Sequence, residues 1–206
     1  MAVPHVIQSH TLWMGVFLVV WWTLVGVAVA FAIADPEPAL RHPAVTITAR
    51  GFVGLWFDAV AVMLCIPPEG WRTSSPRVRF ARWLWTLGLG MHMVHVMFAF
   101  WLAHGWSYEA AVRHVETVGG FGEGIVANEL FLAVWTADVI WWWANPASYA
   151  RRSRWIGYAV HGFLVFIVFN ATVVFGTAEV RLVSAILFGM LMVLWWRRGR
   201  ASGVEG

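Results

Sequence analysis

The chain has 206 residues, 60% of them hydrophobic and only 12% charged, with a mean hydropathy of +0.69. A soluble domain carries roughly 25% charged residues, so this composition excludes an ordinary globular protein and makes the lipid bilayer the first partner. The net charge of +3 rests on fourteen arginines that form no basic stripe and no RNA- or DNA-binding motif, which argues against nucleic acid as a partner.

Residues 1–10 lack the basic start of a secretory signal. Thr11–Ala34 then runs 24 residues without a charge, enough to span a bilayer, although the AIA before Asp35 resembles a cleavage site. Asp35–Arg50 is a proline-broken loop. Gly51–Ile66 follows as an apolar run that is short unless Val45–Thr48 extend it, giving a span of about 49–66 with Asp58 near its middle and Cys65 at its end. A single cysteine rules out internal disulfides and iron–sulfur ligation, and Cys65 reads as a buried, inert thiol. Pro67-Pro68 end this run, and Glu69–Arg82 forms a loop with four arginines.

Trp83–His104 is the third span. Gly105–Glu123 is a polar hairpin in which Ser107 caps a short surface helix, about 107–117. The glycines at 119, 120, 122 and 124 have no Lys-Ser/Thr after them, so a phosphate loop is not indicated. Gly124–Ala144 is the fourth span, stopped by Asn145-Pro146, and Trp155–Phe175 and Ala178–Trp196 are the fifth and sixth. The arginines of successive loops number two, four, one, three, one and three. By the positive-inside rule this alternation places both termini in the cytoplasm and the hairpin outside, as in a bacterial inner-membrane protein. The fold expected is therefore all-α: one integral membrane domain, residues 1–206, of about six transmembrane helices. The polar residues of spans one to three are not mirrored in spans four to six, which argues against an inverted-repeat transporter.

Ionisable groups within the spans need partners. Counting helical rise from the cytoplasmic ends puts Asp58, Asp138 and His161 about 10–12 Å deep and His92 about 15 Å, with His95 one turn further. Imidazoles and carboxylates at one level suit iron, manganese or zinc, giving the candidate metal set Asp58, His92, Asp138 and His161. A single haem b held between His92 or His95 and His161 is the other cofactor expectation, and it implies electron transfer. A second layer near the outer face comprises His104, His114, Glu129 and Asn170, with Asn128, Glu116 and Glu123 close by in sequence. A chain of such groups through the membrane would serve a proton or ion path.

The structural alternative is an accessory subunit of a larger membrane complex, or a homo-oligomer, whose polar groups only hydrogen-bond across helices for about 1 kcal/mol each. Met91, Met93 and Met97 interleave with histidines but form no helical stripe, so packing is preferred to copper. The Trp141–Trp143 and Trp195-Trp196 runs read as interface belts. Ser107 lacks the strained setting of a nucleophile, and metal-assisted hydrolysis of a lipid is the enzymatic alternative.

Overall fold

The computed structural model describes residues 4–37, 39, 41–67, 70–71, 75–120 and 122–202, with side chains described for residues 12–200 of these. All regular secondary structure among the described residues is helical. The helices are α1 (Pro4–Ala34), α2 (Pro43–Leu64), α3 (Pro76–Phe98), α4 (Tyr108–Gly119), α5 (Gly124–Ala144), α6 (Pro146–Ala150), α7 (Arg154–Phe169) and α8 (Ala178–Ser202). π-helical turns extend α3 over Ala99–Ala103 and α7 over Asn170–Val174. Six of these rods are long and apolar enough to cross a membrane, beginning with Leu12–Ala34 and ending with Ala178–Arg200. The chain is an integral membrane protein.

Two helices begin earlier than the apolar runs suggest, and capping explains both. α2 starts at Pro43 rather than near 49 because Pro suits the first helical position and His42 caps it. The His42 Nδ1 accepts from the Ala44 N–H at 3.1 Å, while its Nε2 donates to the Asp35 carbonyl at 2.8 Å. α3 starts at Pro76, after Ser75 accepts from the Val78 N–H at 3.3 Å, so Arg77, Arg79 and Arg82 are helical and not loop residues. Positions 68, 69 and 72–74 of the expected basic loop lie outside the described residues. Asn145 does stop α5, but its side chain also accepts from the Ser148 N–H at 2.9 Å and so starts the short α6. α4 forms as expected on Ser107, which accepts from Ala110 N–H at 3.1 Å, and it ends on Gly120 at φ 83°.

Residue contacts divide the chain into two compact units. One comprises Met1–Leu55 and Thr86–Ala133, the other Trp56–Trp85 and Val134–Gly206, so α2, α3 and α5 contribute to both. The first unit is packed on small residues: Ala28, Ala32 and Ala44 meet Phe98 and Leu102, allowing the backbones a close approach where hydrophobic expulsion from water is absent. Trp21 adds a hydrogen bond from Nε1 to the Leu87 carbonyl at 3.0 Å. The second unit is packed on aromatics instead. Trp56, Trp85, Trp135, Trp142 and Tyr149 are all fully buried, and Phe57 meets Phe188 edge-on at 4.9 Å.

Candidate functional site

In the second unit the buried polar chemistry centres on Asp138 of α5, which is 3% exposed and accepts three hydrogen bonds. Arg152 Nη1 donates to Oδ1 at 2.8 Å, and Trp85 Nε1 and the Tyr149 hydroxyl both donate to Oδ2 at 2.9 Å. The local sequence explains the convergence. The Asn145-capped turn of α6 brings Tyr149 back against Trp142, with ring planes 4° apart and centroids 4.6 Å apart. Arg152 follows in the turn before α7, its guanidinium carbon 3.8 Å from the Tyr149 ring centroid. Burial and the Asp138 carboxylate push the Tyr149 hydroxyl well above its usual range, so it remains a donor. Arg152 Nη2 then reaches His161 Nε2 on α7 at 3.0 Å. A guanidinium can only donate, so this Nε2 is the acceptor and the ring proton resides on Nδ1. Asp138 and His161 are thus brought together as expected, but through Arg152. Metal ligation by either would compete with a cation and two neutral donors already in place.

In the first unit His92 and His95 project from adjacent turns of α3, their rings 6.2 Å apart and 28° from parallel. Phe52 of α2 lies 4.7 Å from His92 and 5.3 Å from His95, and Phe131 of α5 meets His92 edge-on at 5.0 Å. The His95 tautomer follows from its partners. Nδ1 lies 3.2 Å from the Val45 carbonyl and 3.4 Å from Thr48 Oγ1, whose own proton goes to the Ala44 carbonyl at 2.8 Å. Both neighbours therefore accept, Nδ1 carries the hydrogen, and the lone pair is on Nε2. A backbone carbonyl fixing one ring nitrogen so that the other faces a ligand is the usual support of a metal-binding imidazole.

Asp58 is exposed on α2 and has no hydrogen bond or ion pair among the described residues. Of the outer layer, His104 and His114 have their rings 5.4 Å apart, and Glu129 is the main influence that raises the pKa of the Tyr108 hydroxyl. Asn170 instead donates from its side-chain Nδ2 to the Phe166 carbonyl at 2.8 Å on its own helix, where the π-turn begins. Burial, and secondly the neighbouring His114, lower the His104 pKa. Among the described residues no group of three or more His, Cys, Asp or Glu side chains is placed to hold a metal ion. Sequence reasoning did not identify Arg152, Tyr149, Trp85 or the Val45 carbonyl. The signal present was the Tyr149–Arg152 spacing directly after an Asn-Pro cap, which puts phenol and guanidinium on one side of a short helical turn.

Comparison of the chain with protein-family models, with curated proteins and with solved structures finds no match.

Proposed function

We propose that this integral membrane protein carries a single haem b through the His95 imidazole of the first unit and serves in electron transfer. The observation that supports this reading is the oriented His95, whose Nδ1–H is held by Val45 while Nε2 keeps its lone pair. Donor count favours haem over a bare iron, manganese or zinc ion. An ion needs three or four protein ligands, whereas the macrocycle supplies four of its own and asks the protein for one or two. Phe52, Phe131 and the second imidazole, His92, provide aromatic surroundings suited to a flat apolar group. Bound there, haem supplies one-electron chemistry. The chain's residues would supply the His95 imidazole nitrogen, its orientation and the exclusion of water. The protein purified in detergent, titrated with haemin where it is isolated without pigment, should show a six- or five-coordinate imidazole–haem spectrum. His95→Ala should abolish that spectrum and His161→Gln should leave it intact. A folded protein that neither contains nor takes up haem would overturn the reading.

A second reading, an accessory subunit or homo-oligomer, is favoured by Asp58. A carboxylate exposed on a membrane-spanning helix is costly against lipid and calls for a partner surface. Asp58→Leu should then dissociate a complex seen by native mass spectrometry in mild detergent. A wild-type chain that is already a 23.2 kDa monomer in such detergent removes this reading.

A further inference from the structure

The end of α3 is built differently from a simple helix terminus. Its last turn is π-helical, with the His104 N–H donating to the Ala99 carbonyl at 3.1 Å, and such insertions re-aim side chains and recur at functional sites. Gly105 and Trp106 then both adopt left-handed backbone, φ 54° and 61°. Glycine does this freely, but tryptophan does not, and a strained residue of this kind persists only where its surroundings fix it. The Trp106 N–H is held by the Phe100 carbonyl at 2.7 Å, and Ser107 immediately caps α4. This reversal returns α4 along the rim and sets His114 against His104. The His104 Nδ1 is buried and has no hydrogen-bond partner among the described residues.

We propose that His104 and His114 form a two-imidazole site for a borderline divalent metal of the zinc and copper class, at the outer end of the third span. Geometry carries the assignment. A metal ~2.0 Å from one nitrogen of each ring sits ~3.2 Å from each centroid, so a tetrahedral angle separates the centroids by ~5.2 Å. The rings of His104 and His114 are 5.4 Å apart. The His92 and His95 rings, at 6.2 Å, demand an angle of roughly 150° and do not suit one tetrahedral ion. Neutral imidazoles are the ligands preferred by zinc, copper and nickel, whereas magnesium and calcium require oxygen. Two protein nitrogens leave the remaining positions to water or a small ligand, which makes the site open and not a closed structural one. It stands independently of the haem reading, because it uses neither His95 nor any residue of the second unit.

The test uses the full chain in detergent micelles, in a His5→Gln/His10→Gln background that removes the other imidazoles near the N-terminus. Cobalt(II) should give the visible bands of a tetrahedral site, and copper(II) a paramagnetic resonance spectrum with splitting from two nitrogens. His104→Gln and His114→Gln should each weaken cobalt(II) binding by at least ~100-fold, since even indirect supports of a metal typically count for 10–100-fold. His92→Gln should leave the affinity unchanged. His114 lies on a surface helix, so that variant decides the matter if His104→Gln does not fold. Unaltered cobalt(II) affinity in His114→Gln, or copper splitting from a single nitrogen, overturns the proposal.

Discussion

Asp138→Ala is expected to destabilise the protein by about 3–5 kcal/mol, the usual consequence of leaving one member of a buried ion pair without its partner. Three donors lose their acceptor at once: the Arg152 guanidinium, the Trp85 indole and the Tyr149 hydroxyl. Arg152 has limited means of escape. Its side chain is only 11% exposed, and moving it outward also breaks its bond to His161 and its stacking on Tyr149. Asn is not a conservative replacement here. Its amide keeps one acceptor oxygen but turns two hydrogens towards either the Arg152 guanidinium or the Trp85 indole, neither of which can accept, so Asp138→Asn should fall close to alanine. In the double variant Asp138→Ala/Arg152→Ala the uncompensated charge is gone. Its loss should be smaller than the sum of the single losses by about 0.5–3 kcal/mol, the range for side chains in one network. Equilibrium unfolding in detergent, followed through tryptophan fluorescence, measures all three. Single variants within about 0.5 kcal/mol of wild type would mean that the network is a surface contact of no consequence.

How much of this was legible in the sequence depends on what periodicity and depth can report. The six spans were, because an apolar run near 20 residues long matches the thickness of the hydrocarbon core and exceeds what a buried helix of a soluble domain needs. The starts of α2 and α3 were not. His42 is an uncommon cap, and the arginines at 77, 79 and 82 masked the first turns of α3. Helical depth put Asp138 and His161 near one level, and Arg152 joins the two in one network. The same count also gave Asp58 that level, yet Asp58 is exposed, because rise along an axis fixes height and not facing. Arg152 was counted as a solvated loop charge, which is how the positive-inside rule treats every arginine near a span end. His104 and His114 were legible as members of one layer, but their direct ring contact depends on the backbone that creates it. Gly105 announces a turn, but nothing about tryptophan announces a second left-handed residue at 106.

Gly176→Ala is the other change expected to act strongly, and here the cause is backbone geometry. The chain leaves the π-turn Asn170–Val174 and enters α8 at Ala178, with only Phe175, Gly176 and Thr177 between. A Cβ on Gly176 would fall inside the van der Waals envelope of the Thr172 carbonyl oxygen, and 2.9 Å from the carbonyl carbon. Neither atom belongs to a flexible side chain that could rotate away. Thr172 is further fixed by its Oγ1, which donates to the Val168 carbonyl at 2.7 Å. The clash must therefore be relieved by moving the α7–α8 connection itself. That movement strains the clamp in which Arg181 Nη2 donates to the carbonyls of Val174 and Gly176, at 3.2 and 3.3 Å. Overpacking of a close-packed site typically costs 1–3 kcal/mol, and a backbone obstacle places this substitution at about 3 kcal/mol. Arg181→Ala alone, at an exposed position, should cost about 1 kcal/mol or less. The same unfolding assay separates the two. If the alanine variant at 176 melts with wild type, the turn has room that this backbone does not show, and the tight approach of Thr172 is not what holds α8 to α7.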